Sequence, residues 1–251
     1  MELFLSSLFF LFGAAFGSFF NVVGIRSPKN ETFVHNRSHC PKCNKTLAWF
    51  ELVPILSYLL QLGKCRNCKE KISIIYPVVE TLTGALFVLS YLTFGLSAEL
   101  IISLLLVSML MIIFVSDIHY MIIQNKVLLF FLPLFIILRM ITPLEPWWSP
   151  IAGAVAGTVL LALIILVSRG GMGAGDMKLF GVLGIVLGFQ NVFLAFFLAC
   201  LIGAIVGILL IALKVVKRKQ PIPFGPYIVI GALIAYFYGK EIVQLYISFF
   251  S

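Results

Sequence analysis

Long continuous apolar runs recur along this chain, built from Leu, Ile, Phe and Val with small Gly and Ala residues between them. A helix that crosses a bilayer needs about 20 mostly apolar residues. Most of the runs approach this length, and the small residues suit close helix packing in lipid. The runs cover residues 3–25, 74–94, 99–116, 127–142, 150–168, 178–189, 191–213 and 226–246. The pattern predicts an all-α polytopic integral membrane protein with about eight transmembrane helices.

The run over residues 178–189 is shorter than the others. At about 1.5 Å per residue it reaches only about 18 Å, whereas the hydrocarbon core of a bilayer is about 30 Å thick. If it did not cross, the basic cluster at 214–219 would fall on the side opposite to the other basic loops. We therefore expect a short helix that crosses where the membrane is locally thin or water-filled.

Composition narrows the class further. Hydrophobic residues make up 61% of the chain and charged residues 11%, whereas ordinary soluble domains have about 45–50% and about 25%. These values exclude a soluble globular enzyme, a disordered tail, a collagen and a small disulfide scaffold. The first residues, MELF, lack the basic region of a signal peptide, so we expect a retained first helix.

The basic residues predict the orientation. Sixteen of the 18 Lys and Arg residues fall in four loops on one side of an eight-helix arrangement, around 26–73, 126, 169–178 and 214–219. The positive-inside rule places these loops in the cytoplasm and both termini outside. The net charge of +8 lies beside membrane segments, where it would meet anionic lipid headgroups rather than nucleic acid.

The largest predicted loop, residues 26–73, carries two CxxC pairs, Cys40 with Cys43 and Cys65 with Cys68. Their spacing is typical of a four-thiolate zinc site with a structural role, because four thiolates leave no position for a catalytic water. The reducing cytoplasm argues against disulfides. A redox CxxC and unmetallated thiols are the alternatives. His35 and His39 are adjacent alternative ligands.

Only two aspartates occur in the chain, and both fall at predicted cytoplasmic ends of membrane helices. Asp117 follows the run 99–116, and Asp176 precedes the short run 178–189. Ionisable groups at membrane depth are costly and need a partner or a function. Two neighbouring carboxyl groups can share a proton and act as general base and general acid on one water. Each aspartate alone could instead be a helix cap or an isolated polar group.

Three further features are candidates for contact with a substrate or cosubstrate. Gly173 and Gly175 precede Asp176, and glycine allows backbone angles closed to other residues and close approach of an extended substrate. Glu80 lies inside the second apolar run, where it could bind a substrate amine or pair with Lys178, Arg26 or an Asn. Lys178 could bias the charge of Asp176 or extend to the membrane surface. A phosphate loop is a poor alternative for the glycine cluster, because no Gly-Lys-Ser/Thr follows it.

Several motifs occur together in a characteristic order. They are residues 17–22 (GSFFNV), the two CxxC pairs, residues 76–80 (YPVVE), Asp117, residues 173–179 (GAGDMKL) and residues 223–226 (PFGP). In this order and spacing the chain resembles the type IV prepilin peptidases, which are membrane aspartic peptidases of the GxGD kind. The resemblance covers nearly the whole chain.

The resemblance implies that Asp117 and Asp176 are the catalytic aspartates of an endopeptidase in the cell membrane. Such an enzyme removes the basic leader from type IV prepilins, or from pilin-like competence or secretion proteins, at the cytoplasmic face. Many bacterial members then methylate the new N-terminus with S-adenosylmethionine. The implied organisation is a first helix (1–25), a zinc loop (26–73) and a peptidase core (74–251).

One local departure from the family pattern follows Asp117. Family members usually carry Ile/Leu-Pro-Asp or Ile/Leu-Pro-Asn there, whereas residues 122–125 read IIQN. A proline would pre-set the bend before the next helix. The departure affects the expected loop geometry but not the assignment of the aspartate.

Other functions fit the sequence less well than this one. A preflagellin peptidase or a signal-peptide peptidase has related chemistry, but the CxxC loop and the N-terminal motif disfavour both. A proton-coupled transporter could use Asp117, Asp176 and Glu80 as a relay, but no half-repeat is visible in the chain. A non-catalytic assembly protein with a zinc loop would not need two aspartates at the membrane edge.

Overall fold

A computed structural model describes residues 1–31, 38–40, 42–168, 172–217 and 220–250. In these ranges the regular structure consists of α-helices, two 3-10 turns and two isolated β-bridges. The helices are α1 (Glu2–Arg26), α2 (Leu56–Leu60), α3 (Ile75–Phe94), α4 (Ala98–Tyr120), α5 (Asn125–Ile141), α6 (Ser149–Val167), α7 (Ala174–Ala212) and α8 (Gly225–Phe250). The predicted all-α class is confirmed. His35, Gly170 and Gly171 lie outside the described residues.

Six of the described helices are long and apolar enough to cross a membrane, namely α1, α3, α4, α6, α7 and α8. Helix α5, with 17 residues, matches the predicted run 127–142 but is slightly shorter than these six. Helix α2 has five residues and lies inside the predicted cysteine loop. A multi-pass membrane protein follows from these lengths.

Helix α7 contains both of the runs predicted as the sixth and seventh membrane helices. It folds back on itself at Gly188, which has φ 78° and ψ 178°. The rings of Phe180 and Phe196 are 5.8 Å apart, whereas 16 residues of straight helix span about 24 Å. The two halves, 174–187 and 189–212, are therefore antiparallel, and we call them the α7 hairpin. Counted separately, the two halves of the hairpin correspond to the two predicted runs.

The chain divides into two compact units, Met1–Val115 and Ser116–Ser251. In unit 1, α1 and α3 pack through glycines. A Cβ on Gly13 would lie 2.7 Å from the Cα of Gly84, and one on Gly17 would lie 2.8 Å from the Cα of Glu80. Such close backbone approach requires small residues. The three-part domain division made from the sequence stays a prediction.

In unit 2, the first half of the α7 hairpin packs on α6 in the same way. A Cβ on Gly184 would lie 2.3 Å from the carbonyl carbon of Gly153, and one on Gly157 would lie 2.9 Å from the carbonyl oxygen of Phe180. Helix α8 packs against the second half, where a Cβ on Gly231 would lie 2.6 Å from the carbonyl oxygen of Ala195. Glycine contacts therefore align the hairpin with its neighbours on both sides.

Candidate active site

Asp117 lies in the last turn of α4, and its carboxylate is held by the start of α8. The backbone N–H of Gly225, the first residue of α8, donates to Asp117 Oδ2 at 2.7 Å. A Cβ on Gly225 would lie 2.6 Å from the same oxygen, so only glycine permits this contact. The C-terminal end of α4 is unfavourable for a negative charge, whereas the N-terminus of α8 is favourable. Asp117 is buried, with 5% of its surface exposed.

Asp176 lies in the first turn of α7 and is also buried. The backbone N–H of Gly173 donates to its Oδ2 at 3.0 Å. This carboxylate closes the capping contact of its own helix, and the helix N-terminus stabilises its negative charge. The helix-cap alternative is thus realised in the geometry. It does not exclude catalysis, because Asp176 also lines a cavity that it shares with Asp117.

The two glycines beside Asp176 act through their size rather than through unusual backbone angles. Gly173 has φ −77°, and Gly175 is part of the helix, so the predicted use of special backbone angles is wrong for both. A Cβ on Gly175 would lie 2.9 Å from the Cβ of Ile123. Close approach of the segment before α5 to the start of α7 therefore requires glycine at this position.

Both carboxylates line one cavity of about 400 Å³ within unit 2. Apolar side chains and prolines form most of the rest of its wall, including Met121, Ile123, Met172, Pro221, Ile222 and Phe224. Residues 117 and 176 are thus brought together by α4 and α7, although 59 positions separate them in the chain. Two buried carboxyl groups facing one partly apolar cavity can activate a water molecule and protonate a leaving group.

The segment after Asp117 bends without the proline that the type IV prepilin peptidases usually carry there. Met121 takes a positive φ of 53°, which ends α4. The Ser116 hydroxyl donates to the carbonyl oxygen of Ile122 at 2.5 Å and fixes the following turn. A local hydrogen bond and one strained residue therefore replace the constraint that proline would supply.

Lys178 extends from the first half of the α7 hairpin toward α5. Its Nζ donates to Asn125 Oδ1 at 3.1 Å, and this contact is exposed. Asn125 is the last residue of the IIQN segment and the first residue of α5. The contact links the start of α5 to the first turn of α7, which carries Asp176.

The four cysteines of the two CxxC pairs form one cluster in unit 1. Their sulfur atoms lie within 4.8 Å of one another, and Cys40 Sγ is 3.7 Å from Cys68 Sγ. Tetrahedral zinc with Zn–S bonds of about 2.3 Å requires S–S distances of about 3.8 Å. Among the described residues the cluster contains no histidine, and His39 instead forms a β-bridge with Thr46. The donor set therefore fits a structural metal ion.

Each CxxC pair sits in the same kind of backbone turn. The N–H of Cys40 donates to Lys45 O, and the N–H of Cys65 donates to Glu70 O. An isolated bridge closes each turn, His39 with Thr46 and Lys64 with Lys71. The equivalent positions are 25 residues apart, so the cluster consists of two copies of one local motif.

Backbone N–H groups around the cluster favour thiolates. A hydrogen bond from Lys45 is the main cause that lowers the pKa of Cys43, to about 6. Backbone hydrogen bonds from Cys68 and Asn67 lower the pKa of Cys65. The N–H of Glu70 lowers the pKa of Cys68, but burial and the other three thiols outweigh it and raise the value to about 11. The lowered pKa values of Cys43 and Cys65 favour the deprotonated thiols that a divalent cation binds.

Glu80 is buried in unit 1 and holds the segment that follows the first CxxC turn. It accepts a hydrogen bond from the backbone N–H of Ile55 at 2.7 Å, and the Ser18 hydroxyl also hydrogen-bonds to it. Ile55 has a positive φ of 62°, a strained conformation for a β-branched residue. These partners differ from Lys178, Arg26 and Asn, which the sequence offered as alternatives.

Two residues of unit 2, Gly225 and Arg139, were not indicated as contributors by the sequence. The N–H of Gly225 is a backbone group, and only its place in the PFGP motif pointed to it. Arg139 is buried at 6% exposure inside α5, and it is one of the two basic residues that fall outside the four predicted basic loops. A charged residue inside an apolar run was the available signal.

Comparison with known proteins identifies the family. Residues 11–94 match the model of the bacterial peptidase A24 N-terminal domain, and residues 104–208 match that of the type IV leader peptidase family. No solved structure matches the chain significantly.

Curated relatives align over nearly the whole chain. A prepilin leader peptidase/N-methyltransferase of Bacillus subtilis (strain 168) is 43% identical over 96% of this chain and 98% of its own length. Proteins with the same name from Aeromonas salmonicida (strain A449) and Pseudomonas aeruginosa are 34% and 32% identical. The Aeromonas alignment covers 96% of this chain and 94% of the relative, and the Pseudomonas alignment covers 88% and 79%. The chain belongs to the type IV leader peptidase family.

Proposed function

We propose that this protein is a membrane aspartic endopeptidase that removes the basic leader from type IV prepilins or from pilin-like competence or secretion proteins. The observation that carries the proposal is the shared cavity, which Asp117 and Asp176 both line while a glycine N–H holds each carboxylate. Family membership supplies the substrate class. The transporter alternative has no support among the relatives.

Asp117 and Asp176 hold one water molecule between them in this mechanism. One carboxylate takes a proton from the water as its oxygen attacks the scissile carbonyl carbon. The other carboxyl protonates the leaving nitrogen as the peptide C–N bond breaks, so the products are a free carboxyl group and a free amine. The hydrogen bonds from Gly225 and Gly173 keep the two carboxyl groups oriented through these steps.

The cavity walls support a role in holding an extended peptide. Gly173 and Gly175 line the cavity beside Asp176, where we assign them to contact with the substrate backbone, and apolar side chains such as Met172 and Phe224 exclude water. Lys178 would contact the substrate near the rim. The cavity opens at the end of the membrane helices that carries the basic loops, which we assign to the cytoplasmic side of the cell membrane.

We assign a structural zinc ion to Cys40, Cys43, Cys65 and Cys68. The four sulfurs would hold it, and it would stabilise the turns that carry them. N-methylation of the new N-terminus is included because the relatives carry N-methyltransferase in their names. S-adenosylmethionine would be the methyl donor, and the buried Glu80 carboxylate is our candidate contact for the amine or the donor.

Cleavage of a synthetic prepilin by the purified protein in detergent tests the peptidase, with mass spectrometry of the products. Asp117→Asn and Asp176→Asn should each abolish leader removal, since an amide cannot accept the proton of the water. Both variants should still insert and purify as the wild type does. Glu241→Gln, which changes an exposed acid on α8 of the same unit, is the matched control and should keep full activity. Leader removal by either aspartate variant would contradict the assignment.

The same incubation with a labelled methyl donor tests the second activity. Label on the new N-terminus of the cleaved pilin is the expected result. Cleavage without label would restrict the proposal to the peptidase.

A further inference from the structure

The turn of the α7 hairpin is capped on both sides by residues from other helices. A helix end leaves backbone groups without intrahelical partners, and such groups need partners inside a membrane. Arg139 of α5 donates from Nη2 to the carbonyl oxygen of Val186 at 2.7 Å, at the end of the first half. Ser149 of α6 accepts, at its Oγ, the N–H of Phe189 at 2.9 Å, at the start of the second half.

Gly188 makes this arrangement possible. Its φ of 78° is unfavourable for other residues, and a Cβ there would lie 2.5 Å from Ser149 Oγ. Val186 O and Phe189 N–H therefore become available at one place, where Arg139 and Ser149 meet them.

The first half of the hairpin connects this turn to the candidate active site. Asp176 lies in its first turn and Val186 near its last residue, about 15 Å apart along the helix axis. A helix of this length behaves as a rod, so its position at one end determines its position at the other.

The first half of the hairpin packs on α6 with close backbone approach at Gly153, Gly157 and Gly184. The hydrogen bonds made by Arg139 and Ser149 add directional contacts at the turn end of this rod. The charges agree with this, because Asp176 and Arg139 lie at the ends of the half-helix where its dipole favours a negative and a positive charge.

We propose that Arg139 is a positioning residue for peptide cleavage: it anchors the far end of the half-helix 174–187 and thereby sets the depth at which Asp176 faces Asp117. The inference rests on the proposed peptidase function. It also explains why a charged side chain is buried in α5 in spite of the cost of placing charge in a membrane.

The test compares Arg139→Lys, Arg139→Gln and Arg139→Met for kcat and KM with a synthetic prepilin. Misplacement of a catalytic group by about 1 Å can cost about 10²-fold in rate. We expect kcat of Arg139→Met to fall about 10- to 100-fold with KM within about twofold, because substrate binding is untouched. Arg139→Lys should keep more activity than Arg139→Gln, since it retains a charged donor.

Phe135→Leu is the matched control, because Phe135 is fully buried one turn earlier in the same helix and its ring has no group that could donate a hydrogen bond to the turn. It should lower the thermal stability of the purified protein while kcat stays near the wild-type value. If Phe135→Leu and Arg139→Met lose stability and kcat in parallel, Arg139 is merely structural and the inference fails.

Three further outcomes are decisive. If Arg139→Met does not insert, the Lys and Gln variants decide, and equal kcat values for these two overturn the inference. If the wild type cleaves the prepilin and Arg139→Met is equally active, the positioning role of Arg139 is overturned, but the proposed peptidase function stands. A wild-type protein that does not cleave overturns the proposed function and this inference together.

Discussion

The cysteine cluster of unit 1 is built by short-range contacts, whereas the carboxylate cavity of unit 2 is built by helices far apart in the chain. Each cysteine turn is closed by a hydrogen bond between residues five positions apart, Cys40 with Lys45 and Cys65 with Glu70. The contact that holds Asp117 joins it to Gly225, 108 positions later. The first site depends on local backbone geometry and a metal ion, and the second on helix packing.

Because of this difference, we expect different kinds of substitution to disrupt the cysteine cluster and the carboxylate cavity. A local thiolate site should lose its ion when one sulfur is removed, with effects confined to the turns that it stabilises. A site made by packed helices should fail when a single methyl group separates two backbones, even if every polar residue is retained. The following three experiments test this contrast.

The largest effect is expected for Gly225→Ala. The added Cβ would lie 2.6 Å from Asp117 Oδ2, so the carboxylate or the start of α8 must move. We expect kcat for leader removal to fall about 10²-fold, because the relative position of the two carboxyl groups changes. Steady-state cleavage of a synthetic prepilin measures it.

Gly207→Ala in the second half of the hairpin is the control for that change. Among the described residues, and leaving aside the adjacent residues and the nearby backbone of its own helix, no atom lies within 4 Å of a Cβ built there. The variant should be as active as the wild type and slightly more stable, because alanine favours a helix more than glycine does. Wild-type activity of Gly225→Ala would show that the α8 contact does not hold the site.

A smaller effect is expected for Cys65→Ser. Cys65 is one of the two buried thiols of the cluster. The loss of one thiolate should reduce the zinc content of the purified protein and expose residues 42–73 to limited proteolysis. Metal analysis and protease digestion measure both, and a chelator should reproduce the digestion pattern in the wild type.

Cys200→Ser provides the matched control, since Cys200 lies in α7 and outside the cluster. It should retain the full zinc content and the wild-type digestion pattern. Equal zinc content in Cys65→Ser and Cys200→Ser would contradict the four-cysteine site.

The smallest effect concerns the contact between Lys178 and Asn125. Lys178→Met and Asn125→Ala both remove the hydrogen bond of 3.1 Å, but only the first removes a charge. If Lys178 contacts the substrate, Lys178→Met should raise KM about threefold and Asn125→Ala should leave it unchanged, as exposed contacts contribute little. Equal KM values in the two variants would assign Lys178 a purely structural contact.

Several features of the fold were predictable from residue patterns. The apolar runs anticipated the long helices, and the short run 178–189 became the first half of the α7 hairpin. The sequence separated this run from the next because the charge distribution predicts an additional membrane helix there. The structure of the turn could not be predicted, since Gly188 is one glycine among several in an apolar stretch and its backbone angles depend on Arg139 and Ser149.

The candidate site likewise combines features that were predictable from the sequence with features that were not. The two aspartates stood out because carboxylates are rare in so apolar a chain, and each CxxC pair defines its own turn. The backbone donor at Gly225 and the partners of Glu80 carry no distinctive side-chain pattern. The backbone angles expected at Gly173 and Gly175 were wrong, because a motif indicates that glycine is needed without revealing whether angle or size is the reason.

The sequence by itself determined the membrane class, the all-α architecture, the spacing of the cysteine turns and the identity of the two aspartates. These properties follow from apolar length, charge and contacts between residues near in the chain. Only the tertiary structure decided that α7 folds back at Gly188, that α8 supplies a donor to Asp117, and that a buried Arg139 caps the hairpin. Those outcomes depend on how closely separate backbones approach, which no local pattern of residues specifies.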